Sequence, residues 1–172
     1  MNARIRMSTL GIFSLLMIGL LAFTPSPAQA ITALPAAEKG SHDDVGYTFN
    51  FDFFQTTDGV TPRGKKDNSS VFVNLKTINI SDANLYVDGR NQNGEYVNCM
   101  GGTTANVTRN TAKGNWRIQS LVYERFKNYG AMAQLTGWGK GNTGSISGVW
   151  SPDSYTSRGY PFLNGTPNPN IW

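Results

Sequence analysis

The chain is poor in the residues that carry most enzyme chemistry. Its 172 residues include one cysteine and one histidine. A single thiol cannot close a disulfide within the chain or build a cysteine-ligated zinc site. A single imidazole excludes a three-histidine metal site and confines any histidine relay to one place. Charge is also scarce: 15% of residues are charged, with 15 Lys and Arg against 11 Asp and Glu. Aromatics, at 12%, and 19 glycines take up the difference. Disorder of a whole chain goes with few aromatics and high net charge, so this composition argues against it. The length suits one domain.

One strongly apolar run is present, near the start. Arg4 and Arg6 precede Leu10–Phe23, which is apolar apart from Ser14. Pro25 and Pro27 break the run, and Ala28-Gln29-Ala30 follows. A basic start, a short apolar stretch and small residues at −3 and −1 predict a secretory signal over 1–30, cleaved after Ala30. The run is shorter than a membrane-spanning helix. The expected location of the mature protein is therefore outside the cell. Without Arg4 and Arg6, 13 basic residues face 11 acids. That excess is too small for a nucleic-acid footprint, so no nucleic-acid partner is expected. Arg63, Lys65 and Lys66 form the one basic cluster. It reads as a solvated loop, or as a weak attractor of anionic envelope polymers or a membrane surface.

Residues 31–43 have no period and read as a flexible leader. From Tyr47 the pattern becomes period two, with Tyr47, Phe49, Phe51 and Phe53 on one face. That is the mark of a half-buried strand. The Gly- and Pro-bearing stretch 55–69 reads as loop. Further strands are expected at Val71–Leu75, Asn84–Arg90, Glu95–Met100, Ala105–Arg109, Ala131–Trp138 and Ser145–Trp150. Asn93-Gly94 suggests a two-residue type I′ hairpin turn. Asn115–Phe126 fits a strand or, in its second half, a helical turn, and its β-rich surroundings favour strand. About seven to eight short strands between Gly-rich turns predict an all-β fold, one antiparallel sandwich or barrel over 44–154. Its core candidates are Phe49, Phe51, Val71, Val73, Leu85, Val87, Trp116, Ile118, Leu135 and Trp150. Residues 155–172, with three prolines, read as an extended or disordered tail.

Few groupings point to chemistry. General acid–base catalysis needs two carboxyls in one cleft with separated proton affinities. Glu124, with Asp52 or Asp153, is the pair that such an activity would use, although Asp153 also suits a turn cap. His42-Asp43-Asp44 combines ligating types, but neighbours on an extended segment point to opposite sides. Asp88–Glu95 resembles a calcium loop only in its middle: placing Asn91, Asn93 and Gly94 at positions three, five and six leaves Gly89 and Met100 at the decisive ends. No cofactor and no metal site are expected. Cys99 reads as a buried hydrophobe, with an intermolecular disulfide as the alternative. Tyr86, Tyr96, Tyr123, Tyr129 and Trp138, among many Asn and Gly, suggest stacking faces for a glycan or cell-wall polymer; packing in the core is their other reading.

Three segments carry a resemblance when taken together: Tyr47-Thr48-Phe49, the Arg63–Ser70 loop leading into Val71-Phe72-Val73, and Gly148-Val149-Trp150-Ser151-Pro152-Asp153-Ser154. In this order they resemble small exported proteins of Gram-positive bacteria grouped in a family of unknown function. They are also similar in style to lactococcin-type bacteriocins, which are small β-sandwiches. The resemblance covers about residues 44–154 and carries no catalytic residues. The favoured expectation is an exported, non-enzymatic binding or bacteriocin-like protein at the cell envelope. The alternatives are a small secreted hydrolase using the carboxylate pair and a structural or matrix protein.

Overall fold

A computed structural model describes residues 42–165. The expected signal with Ala28 and Ala30, the leader up to Ser41 and the tail beyond Gly165 lie outside the described residues. Ten strands follow in chain order: β1 (Val45–Phe51), β2 (Thr57–Gly59), β3 (Arg63–Gly64), β4 (Val71–Asn79), β5 (Asp82–Arg90), β6 (Tyr96–Asn98), β7 (Ala105–Thr108), β8 (Gly114–Ile118), β9 (Met132–Trp138) and β10 (Gly144–Ser151). Helix α1 (Val122–Phe126) lies between β8 and β9. One sheet runs β1-β10-β4-β8 and the other β2-β9-β5-β6, with β3 also on β9 and β7 also on β5. Every pairing between these strands is antiparallel. The two sheets pack together as an all-β sandwich.

Alternation sets which side chains enter the core. Tyr47, Phe49 and Phe51 of β1 are buried, while Thr48 and Asn50 are exposed. Their partners on β10, Gly148 and Ile146, are buried on the same face. From the other sheet come Leu85 and Val87 of β5 and Ala133 and Leu135 of β9. Burying these large apolar groups is the main favourable term of the fold. Nine of the ten core candidates are buried; Trp116 is half-buried, and its indole Nε1–H donates to the Ala112 carbonyl at 3.0 Å.

Four local expectations change. Strand β8 stops at Ile118, and Val122–Phe126 is helical rather than extended. The spacing explains it: Val122 and Phe126, four apart, are both buried. On a strand Val122 and Phe126 would share their face with Glu124, whereas on a helix these two share a face without it. Phe126 presses on Gly89 of β5, where an added Cβ would meet the ring at 2.6 Å. Second, Asn93-Gly94 is not a two-residue turn. β5 ends at Arg90 and β6 begins at Tyr96, and Asn91 Oδ1 accepts from the N–H groups of Asn93 and Glu95, both at 2.9 Å. Gly94 has φ 85°, but Asn93 does not enter the positive-φ region, as a type I′ turn would require. Third, the 55–69 stretch contributes β2 and β3, which cover the edge of β9.

Fourth, the basic cluster is not a solvated loop. Lys65 is 1% exposed, and Arg63 is half-buried with its guanidinium 5.9 Å from the centre of the Trp150 ring. The segment after β10 also takes a definite path. The Arg117 N–H donates to the Pro161 carbonyl, and the Leu163 N–H donates to the Arg117 carbonyl, each at 2.8 Å. Residues 161–163 thus lie parallel along the outer edge of β8, and the Arg117 guanidinium sits 4.3 Å over the Phe162 ring.

Candidate functional site

The outward side of the six-stranded sheet is where the alternation places polar and aromatic side chains together. On β5 the odd residues 83, 85 and 87 are buried in the core, and alternation puts Asp82, Asn84, Tyr86, Asp88 and Arg90 on the other face, where Asn84 is itself buried beneath its neighbours. On β9 the outward set is Met132, Gln134, Thr136 and Trp138. Register then fixes neighbours. Tyr86 stands opposite Thr136, and Trp138 stands opposite Asn84 and Thr57. Tyr86 and Trp138 are therefore diagonal neighbours, about 7–8 Å apart at the backbone. Tyr96 of β6 stands opposite Arg90 on the same face. It lies four residues further along than Tyr86, about 13 Å at roughly 3.3 Å per residue.

Trp138 is 39% exposed and Tyr96 42% exposed, and Tyr86 is half-buried. Tyr129, in the turn after α1, is 56% exposed, and Tyr123 on α1 packs partly against the core. Of the five aromatic candidates, the sheet brings together Tyr86, Tyr96 and Trp138 and leaves Tyr123 and Tyr129 on the α1 segment. Each ring on the sheet is bordered by hydrogen-bonding groups. The Asn84 amide donates to the Tyr86 hydroxyl at 3.0 Å, and the Asn106 amide donates to Asn84 Oδ1 at 3.2 Å and to Asp82 Oδ1 at 2.6 Å. The Thr136 hydroxyl donates to Asp88 Oδ2 at 2.7 Å. Burial pushes the Asp88 carboxyl above its usual range, and the Thr136 hydroxyl opposes that rise. At the rim, hydrogen bonds from Lys140 and Asn106 hold the Asp82 carboxyl below its usual range. Gly59 leaves the strip beside Gln134 and Thr136 low, since a Cβ there would stand 3.0 Å from the Gln134 amide nitrogen.

The carboxylate candidates are distributed differently. Asp52 is exposed beyond the end of β1, where its Oδ1 accepts from the backbone N–H groups of Gln55 and Phe54 at 2.6 and 2.7 Å. Those bonds, Gln55 first, lower its pKa. Phe51 pairs with Gly144 at the start of β10, whereas Asp153 follows Ser151 at its end. The two carboxyls are thus separated by the length of β10, about 23 Å at roughly 3.3 Å per residue. Glu124 and Asp153 instead both act electrostatically on Lys65. Asp153 is 1% exposed, and both Glu124 oxygens are sealed from solvent without a hydrogen-bond partner among the described residues.

In the sequence Lys65 stands out only as a member of the basic cluster, with no sign of its partner Asp153. Its Nζ donates to the Ser69 carbonyl, to the Pro152 carbonyl at 2.8 Å and to Asp153 Oδ1 at 3.0 Å. The Lys66 N–H donates to Asp153 Oδ2 at 3.2 Å. Burial pulls the Lys65 pKa down and pushes that of Asp153 up, and each charge opposes the other's shift. Beside this pair lies an open pocket of about 200 Å³, lined by His42, Phe72, Asp153, Ser154, Tyr155 and Arg158 among others. His42 stacks on Tyr155 at 4.2 Å. The Ser154 hydroxyl is sealed and the His42 Nδ1 has no partner, so no hydrogen bond links them as a nucleophile and its base. The described residues contain no group of three or more His, Cys, Asp or Glu able to hold a metal ion. Cys99 is fully buried and unpaired, and burial raises its thiol pKa.

No curated protein and no solved structure matches this chain. Residues 32–154, most of the chain including β1 to β10, match the family described as protein of unknown function (DUF2712), and the chain belongs to that family.

Proposed function

We propose that the protein acts outside the cytoplasm as a non-enzymatic module that binds a glycan polymer of the cell envelope through the outer face of its six-stranded sheet. The observation that carries this reading is the alignment of Tyr86, Trp138 and Tyr96 on that face, interleaved with Asn84, Asn106, Asp88 and Gln134. Sugar rings present apolar C–H faces that stack on aromatic rings, and hydroxyl edges that pair with amides and carboxylates. A row of rings bordered by such groups suits an extended polymer. The expected N-terminal signal supports action after export. The resemblance to small exported Gram-positive proteins and lactococcin-type bacteriocins makes the envelope of related bacteria the first target to try.

The test is sedimentation of the purified protein with isolated peptidoglycan and with whole cells, at low and high salt. Retention that survives high salt and is lost in a Trp138→Ala, Tyr86→Ala double variant supports the reading. Equal retention of the double variant, or no retention on either material, overturns it. Growth inhibition of related strains by the same preparation distinguishes a bacteriocin-like action from binding alone.

A further inference from the structure

We propose that Lys65 and Asp153 condense into an intramolecular amide, a covalent cross-link that joins the segment after β3 to the segment after β10. The juxtaposition carries the proposal. Lys65 Nζ lies 3.0 Å from Asp153 Oδ1, and the two side chains are 0% and 1% exposed. The nitrogen is thus already in contact with the carboxyl group it would attack. Holding two reactants at such range replaces a bimolecular encounter with an intramolecular one, and effective molarities of about 10⁵–10⁸ M follow from good alignment. The low exposure of both side chains limits the access of water that would drive the amide back to amine and acid.

The step balances without an outside reagent. A proton first passes from the ammonium to the carboxylate, giving a neutral amine and a carboxylic acid. Burial favours this neutral pair over two desolvated charges. The Asp67 carboxyl, which interacts with that of Asp153, adds to the preference for a protonated Asp153. The amine lone pair then attacks Asp153 Cγ. The C–N bond forms, the C–O bond breaks, and the oxygen leaves as water carrying one proton from the acid and one from the amine. Nothing is oxidised or reduced. The Lys66 N–H on Oδ2 polarises the carbonyl and stabilises the charge that develops on that oxygen.

Glu124 completes the set. It acts on Lys65 from α1, and both its oxygens are sealed and without a hydrogen-bond partner among the described residues. Asp67, by contrast, is already engaged by the Ser69 N–H at 2.8 Å. Glu124 makes no hydrogen bond to Lys65 Nζ in the starting state, and as the unengaged carboxylate acting on Lys65 it is assigned the relay of the amine proton to the leaving oxygen. The pocket that Asp153 lines gives the released water an exit. In the product, the amide oxygen keeps the Lys66 N–H, and the single amide N–H keeps one of the two carbonyls, Pro152 or Ser69, that the ammonium served. The link closes a separation of 88 residues and ties the segment after β3 to the segment after β10.

Mass spectrometry of the denatured protein reads the outcome directly. The expected result is a mass lower than that of the same polypeptide by one water, with a protease digest yielding a branched peptide that contains Lys65 and Asp153. A protein at full mass, giving only linear peptides for both residues after prolonged incubation, overturns the proposal. A Lys65→Met variant is expected at full mass, and the readout is taken after denaturation, so it holds whether or not that variant folds. Glu124→Gln, which keeps Lys65 and Asp153, is expected to form the bond at least tenfold more slowly. Formation at the wild-type rate overturns the role given to Glu124.

Discussion

Phe49 of β1 lies directly on Gly137 of β9, so that a Cβ at position 137 would stand 2.8 Å from the ring carbon Cδ2. The same Cβ would meet Phe51 Cζ at 2.8 Å. The two sheets touch here because one of them offers no side chain. Gly137→Ala is expected to lower stability by about 1–3 kcal/mol, the usual cost of overpacking. Urea unfolding checks it: the midpoint falls while the slope stays constant. An unchanged midpoint would mean that the rings yield without cost.

Tyr47 is 5% exposed, and its hydroxyl has no hydrogen-bond partner among the described residues. Burial pushes its pKa well above the usual tyrosine value. A buried hydroxyl without a partner costs desolvation that is not recovered. Tyr47→Phe keeps the ring against Phe49 and removes that cost. It is expected to stabilise the fold by about 1 kcal/mol, read as a higher melting temperature. A lower melting temperature contradicts the assignment.

Asp88 gives a pH dependence of defined sign. Burial raises its carboxyl pKa above the ordinary 3.8 in the folded protein. Between 3.8 and that raised value the folded chain holds more protons than the unfolded chain, so stability falls as pH rises through the window. Above the window the full cost remains, and below 3.8 it is absent. Asp88→Asn keeps an acceptor for the Thr136 hydroxyl and removes the charge. The variant is expected to be more stable than wild type at pH 7 and equal to it near pH 3, by denaturant titration at both pH values. A variant less stable at pH 7 refutes this account.

Asn164 fastens the segment after β10 to the sheet. Its Oδ1 accepts from the Gln119 N–H at 3.0 Å, and its Nδ2 donates to the Gln119 carbonyl at 3.2 Å, in a site where Asn164 is 2% exposed. Asn164→Ala leaves both backbone groups without that partner and is expected to cost about 1–3 kcal/mol. Faster proteolysis after Tyr155 would accompany it. Stability equal to wild type would show that the segment adds nothing to the fold.

Trp138 is the ring on which binding should depend most. It is partly exposed at the end of β9, so Trp138→Ala is expected to leave the melting temperature within a degree or two while weakening glycan binding about tenfold, or ~1.4 kcal/mol. Intrinsic fluorescence during a glycan titration measures both binding and the contribution of this indole. Unchanged affinity with intact folding moves the site elsewhere.

Much of the architecture is legible residue by residue. Period-two runs such as Tyr47-Phe49-Phe51 and Val71-Val73-Leu75 mark strands and their inward faces, because a strand cannot bury both parities against one core. The same rule sorts Tyr86 from Leu85 and Trp138 from Leu135, so the aromatic candidates of the outer face can be named before any pairing is known. What stays hidden is everything that depends on partners distant in sequence. The place that the Phe126 ring takes on β5, against a Gly89 without a side chain, is one such relationship.

The amino-acid sequence by itself determined an all-β chain with few sites for histidine or thiol chemistry, and it named the aromatic rings that could meet a ligand. Only the tertiary structure decided that Tyr86, Trp138 and Tyr96 share one face, through the register of β5, β6 and β9. It alone turned Lys65 from one member of a basic loop into a buried partner of Asp153, 88 residues away. The reason is physical: local pattern is carried by neighbours along the chain, whereas burial and charge pairing are properties of groups that meet only when the sheets close.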